Sequence, residues 1–220
     1  MDRANGVNRD VKRQLEEILS ERLMQMKQEL AGRSSRELAL RTGARYDANT
    51  QEFSLEVFGK TFLVHYPDFQ VIEAENGAIA SVKRQALILY YFKTANGTPT
   101  AGRWISFREL LDGMNYEKAF QGYSGDALVR ALQGNLSRFK AAAEALRGIP
   151  QPMGDAAYSF WALPKVPLAL VFWEGDEEFP ARIQVLFDAS APNYLPTDSL
   201  AGLGAELCSM IRWMAQATAG

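Results

Sequence analysis

The stretch Phe53-Ser54-Leu55-Glu56-Val57-Phe58-Gly59-Lys60-Thr61-Phe62-Leu63-Val64-His65-Tyr66 decides the fold class. Phe53, Leu55 and Val57 alternate with Ser54, Glu56 and Phe58, the period of a strand with one buried face. Gly59-Lys60 stands where a tight turn would fall. Phe62, Val64 and Tyr66 then alternate with Leu63 and His65. This predicts a β-hairpin, extended by a third strand at Phe69–Glu73 and closed by the turn signal Glu75-Asn76-Gly77.

On the N-terminal side the period changes to that of a helix. Val11, Leu15, Leu19, Leu23, Met26 and Leu30 form one apolar stripe over residues 8–31, with Asn8 as the cap and Gly32 as the stop. Ser34-Ser35-Arg36-Glu37 is a capping-box pattern, so a short helix is expected to about Thr42, ended by Gly43. Residues 1–43 are therefore expected to form a helical extension and residues 44–220 a single α+β domain.

On the C-terminal side, residues 79–94 hold the apolar run Ala86-Leu87-Ile88-Leu89-Tyr90-Tyr91-Phe92. Its length and the Asn96-Gly97 stop predict a buried helix. Ser106 can cap a short helix at Phe107–Leu111, and residues 115–147 predict two or three helices broken at Gly122, Gly125 and Gly134. Strands return at Tyr158–Leu163, Leu168–Trp173 and Arg182–Phe187, and a last helix carries Leu200, Leu203, Leu207, Met210, Ile211 and Met214 on one stripe. Helices, strands, helices, strands and helix in segregated runs predict an α+β fold. Its antiparallel strands fall in two groups, about 45–75 and 157–188, with helices at the N-terminus, middle and C-terminus.

Composition limits the function. The chain has 220 residues, 47% apolar and 23% charged, with net charge −2, as in an ordinary globular protein. No apolar run approaches the roughly 20 residues of a membrane span, and the first residues show no secretory h-region, so a cytoplasmic protein is expected. Cys208 is the one cysteine, which rules out an intramolecular disulfide and fits a reducing compartment. One Cys and one His cannot build a Cys/His zinc site within the chain, and an iron–sulfur cluster needs several thiolates. Residues 1–46 carry ten basic side chains against seven acidic, less than the dense basic face of a nucleic-acid binder, so no nucleic-acid partner is expected.

Catalytic motifs are weak. Gly122-Tyr123-Ser124-Gly125 is one residue short of a nucleophile elbow and lies between helices, and His65, mid-strand, reads as structural. Gly202-Leu203-Gly204 lacks the third glycine and preceding strand of a nucleotide-binding turn, and reads as helix packing or a frayed helix start.

Two polar clusters stand out. Trp173-Glu174-Gly175-Asp176-Glu177-Glu178 crowds four carboxylates into five positions. It is either a solvated turn or, at Glu174, Asp176, Glu177 and Glu178, a weak oxygen site for a hard divalent cation. Arg103-Trp104 with Arg108-Glu109 sets guanidinium groups beside aromatic rings. These could hold a carboxylate or phosphate, or Arg108 could simply pair with the acidic loop. With Asp155 and Asp188 these are the candidate ligand-binding residues.

The segment Gly102–Glu109 with Gly113 and Tyr116, then Gly154-Asp155, Leu163-Pro164-Lys165-Val166-Pro167, Trp173–Ala181, Leu186–Ala191 and Tyr194-Leu195-Pro196, resembles the domain-of-unknown-function 3786 family of bacteria and archaea. The resemblance spans about residues 45 to 205. It implies an accessory or ligand-binding role in anaerobic metabolism. Members of that family that bear an iron–sulfur domain do so through cysteines this chain lacks, so that role does not carry over.

Three readings follow. The first is a non-catalytic binder of a small molecule or cofactor of unknown identity. The second is a carboxylate-based enzyme, with or without a divalent cation. The third is an interaction module whose first helix docks a protein partner through Leu15, Leu19, Leu23 and Met26.

Overall fold

A computed structural model describes residues 18–217. The fold is α+β, with two antiparallel sheets, and the chain divides into two compact units at Gly97/Thr98.

The first unit contains helix α1 (residues 18–31), α2 (Ser35–Thr42), strands β1 (Arg45–Asp47), β2 (Glu52–Val57), β3 (Lys60–His65) and β4 (Val71–Glu73), and helix α3 (Val82–Thr94). The strands form one sheet in chain order. The hairpin is as expected, with its turn one residue earlier. Val57 pairs with Lys60, leaving Phe58 and Gly59 as the two loop residues, at φ 49° and 76°. Two positive φ values in a two-residue loop match the right-handed twist of the strands. The alternation then sorts the faces. Phe53, Leu55, Phe62 and Val64 are buried, and His65 stands on the other face with its Nε2 3.4 Å from Glu52.

Phe53 is the hub of the core, with ring centroids 4.9 Å from Phe92 and 4.8 Å from Tyr46. The capping box at Ser34 does not form: the Ser34 side chain makes no cap bond, while Gly43 ends α2 at φ 71°. Leu23, Met26 and Leu30 of α1 are buried, and Lys93 of α3 holds Glu29 at 2.8 Å. Of the expected docking stripe, Leu23 and Met26 are buried in this chain's own packing and Leu19 is half-buried. Leu15 lies outside the described residues.

The second unit contains β5 (Trp104–Ser106), a 3-10 turn (Phe107–Glu109), α4 (Gly113–Tyr123), α5 (Gly125–Leu132), α6 (Leu136–Ala145), β6 (Ile149–Gln151), β7 (Ala156–Leu163), β8 (Val166–Trp173), β9 (Arg182–Asp188), a second 3-10 turn (Ala191–Asn193) and α7 (Thr197–Ala217). The sheet order is β5-β9-β8-β7-β6. Central β8 is buried from Val166 to Phe172, as a strand covered on both faces should be. The short edge strands β5 and β6 do not announce themselves in the sequence: each has three residues, and β6 contains Pro150, which an edge tolerates. Three helices fill the expected stretch, with breaks at Ser124-Gly125 and Gln133-Gly134, while Gly122, expected as a break, lies inside α4. The Asn135 side chain accepts the Arg138 N–H at 2.9 Å. Leu200, Leu203, Leu207 and Ile211 of α7 are buried. Among the described residues, no helix is long and apolar enough to cross a membrane.

Candidate functional site

The second unit contains a cleft of about 530 Å³. Three separate segments build it. Phe107, Leu111 and Asp112 come from the first 3-10 turn and the loop after it. Tyr116, Ala119, Phe120 and Tyr123 come from α4. Pro192, Leu195, Pro196, Thr197, Asp198 and Ala201 come from the second 3-10 turn and the start of α7.

The floor is aromatic. Phe107 and Phe120 stack with centroids 4.2 Å apart, Phe187 lies 6.0 Å from Phe120, and Tyr123 meets Phe120 edge-on at 5.6 Å. Leu111, Tyr116 and Tyr123 remain exposed at the rim. Backbone contacts fix the walls. A Cβ on Gly113 would overlap the Phe107 carbonyl oxygen, and one on Gly204 of α7 would lie 2.8 Å from the Phe120 ring. The Thr197 hydroxyl donates to the Leu111 carbonyl at 2.8 Å, tying α7 to the loop before α4. Gly204 therefore serves helix packing, as its sequence context suggests.

The sequence-predicted polar residues lie elsewhere and are divided between two places. Trp104 pairs with Asp188 at one end of β9, and Trp173 pairs with Arg182 at the other. The ends of this seven-residue strand are six steps apart, roughly 20 Å.

At the first end the chain uses Asp188 for itself. Its buried carboxylate accepts the N–H groups of Ala101 (2.8 Å), Gly102 (2.8 Å) and Ser190 (2.9 Å) and the Ser190 hydroxyl (2.6 Å). Burial alone would raise its pKa, but the hydrogen bonds from Ser190, Ala101 and Gly102 outweigh that and hold it below the ordinary value. The same loop is fixed by the Ala189 N–H on the Arg103 carbonyl and by the Tyr194 hydroxyl on the Thr98 carbonyl. Glu109 accepts the N–H and the hydroxyl of Ser106, which lower its pKa, and so it caps a turn. Arg108 lies 3.7 Å from Glu117, a different carboxylate from the acidic loop that was one of its two sequence readings.

At the other end, Asp155 accepts the Glu174 N–H at 2.7 Å. Asp176 accepts the N–H groups of Phe179 (2.7 Å) and Glu178 (2.8 Å), and these bonds lower its pKa. Arg182 lies over the Trp173 ring at 5.8 Å. Glu174, Glu177 and Glu178 are exposed. Among the described residues no group of three or more His, Cys, Asp or Glu side chains is placed to hold a metal ion. Ser124 is buried and its hydroxyl donates to the Phe120 carbonyl at 2.5 Å, a helix-end contact.

The sequence reading missed the cleft residues because aromatic and aliphatic side chains far apart in the chain look like core. The available signal was Tyr116 and Leu195-Pro196, which fall inside the resembling motifs and also line the cleft.

No curated protein and no solved structure matches the chain. A protein-family model, Domain of unknown function (DUF3786), matches residues 34–210, and the chain therefore belongs to that family.

Proposed function

We propose that this chain is a non-catalytic small-molecule-binding protein whose ligand occupies the cleft between the Phe107–Asp112 segment, α4 and the start of α7. The observation that carries this reading is the cleft itself: about 530 Å³, walled by Phe107, Leu111, Phe120 and Leu195, with a few polar groups at Asp112, Tyr116, Tyr123 and Asp198. Apolar concavities of a few hundred Å³ with sparse, placed polar groups are the usual form of small-molecule sites. The reactive side chains of this unit support binding over catalysis. The Ser124 hydroxyl is engaged with backbone, and Cys208 is buried with its thiol pushed up to about 12. The conspicuous carboxylates Asp155, Asp176 and Asp188 hold loops.

The test uses the neutral apolar fluorophore N-phenyl-1-naphthylamine as a probe. It should bind saturably, and Ala119→Trp, on an exposed cleft-facing position of α4, should weaken binding at least about tenfold, the scale of a lost aromatic contact area, with the melting temperature little changed. Saturable binding that Ala119→Trp leaves intact would refute the reading.

A further inference from the structure

We infer that the ligand of this cleft is an organic cation, an ammonium group carried on an apolar body. The inference rests on the reading of the cleft as a binding site. Charge points to it first. The lining contains Asp112 and Asp198 and no Lys, Arg or His. The N-terminal ends of α4 and α7 also open here, and each helix terminus carries roughly half a positive charge. Two full carboxylate charges outweigh two such half charges, so the local field favours a cation.

The state of the carboxylates points the same way. Asp112 occupies the position before α4, where an aspartate ordinarily accepts a backbone N–H of the first turn. Here it has φ 59°, in the left-handed region, and makes no cap bond. No hydrogen bond or ion pair engages its carboxylate among the described residues. Asp198 accepts the Ser199 N–H at 2.8 Å through Oδ1, which leaves Oδ2 for a ligand. The loop-holding Asp188 of the same unit is engaged by donors on both carboxylate oxygens. These two are not.

The aromatic groups complete the match. Tyr116 and Tyr123 are exposed at the rim beside the stacked Phe107 and Phe120 rings. Ring faces attract ammonium groups, and a carboxylate beside an aromatic wall is the arrangement that recognises them. An anionic ligand would meet two carboxylates instead, and a strongly polar neutral one would find few donors.

The test compares benzyltrimethylammonium with neopentylbenzene, its uncharged carbon isostere, as competitors of N-phenyl-1-naphthylamine on the full chain. The cation should compete about tenfold better, the effect of roughly 1.4 kcal/mol of combined carboxylate and ring attraction. The double variant Asp112→Asn, Asp198→Asn should lose most of that preference, read as the ratio of the two competitors' affinities measured on the same variant protein. Asn tolerates the left-handed backbone, so the variant keeps the fold. A cation no better than its isostere, or a preference that survives in the double variant, overturns the charge assignment and leaves the cleft reading standing. Fluorophore binding that is absent, or unaffected by Ala119→Trp, overturns both.

Discussion

Gly113 is packed so tightly on Phe107 that no Cβ fits between its Cα and the Phe107 carbonyl oxygen. Gly122 lies in the same helix with nothing within 4 Å of the place its Cβ would take. Alanine should therefore act with opposite signs at the two positions. Gly113→Ala must push α4 off the 3-10 turn and should cost about 2 kcal/mol or more, as overpacking does. Gly122→Ala removes backbone freedom from the unfolded chain and should stabilise by about 0.5–1 kcal/mol. Urea denaturation of the two variants reads both effects; equal signs would contradict the packing described.

Asp188 should be a stability determinant rather than a ligand-binding group. An amide in its place offers an N–H₂ to four donors, leaving some of them buried and unpaired, at about 1–3 kcal/mol. The pKa of Asp188 is lower in the folded protein than the ordinary 3.8. Its contribution is thus fully present above the unfolded value and is lost as pH falls through the folded one. The stability gap between wild type and Asp188→Asn should be constant from pH 7 to pH 5 and should narrow below about pH 4. A gap independent of pH down to pH 2 would show that the carboxylate charge is not what holds the loop.

The acidic loop should be held by Asp176 and not by its neighbours. Asp176→Ala removes the acceptor of the Glu178 and Phe179 N–H groups, and a glutamate-specific protease should then cut at Glu177 or Glu178 faster than in the wild type. Glu174→Gln, with no such bond to lose, should leave the cleavage rate unchanged. Mass spectrometry of the early fragments distinguishes the two outcomes.

Cys208 should be silent toward thiol reagents until the chain opens. It is buried on α7, and burial pushes its thiol up to about 12, so almost no thiolate exists at pH 8. Labelling by a chromogenic disulfide should be stoichiometric in denaturant and slower than about one-hundredth of that rate in native buffer. Fast native labelling would mean that α7 detaches far more readily than its buried Leu203, Leu207 and Ile211 imply.

Much of the fold was legible because it obeyed local rules. The period-two run at Phe53–Tyr66 and the glycine breaks between α4, α5 and α6 each name their element without reference to the rest of the chain. The turn at Phe58-Gly59 was displaced by one residue because Phe58 takes a left-handed conformation that its side chain gives no reason to expect. Strands β5 and β6 were invisible because three residues carry no period, and their pairing with β9 and β7 is decided by distant sequence. The cleft was not legible for a related reason. Charged clusters such as Arg103–Glu109 and Glu174–Glu178 draw attention in a sequence, yet here Glu109 and Asp176 serve the backbone of their own turns. The cleft is assembled from Phe107, Tyr116 and Leu195, which look like core until the fold brings their segments together.

The two glycine contacts at Gly113 and Gly204 give the cleft an interchangeable lining. Its width is set where Gly113 meets the Phe107 carbonyl and Gly204 meets the Phe120 ring. Ala119, Leu111 and Tyr116 have no side-chain part in those two contacts, so exchanging them should leave the walls in place.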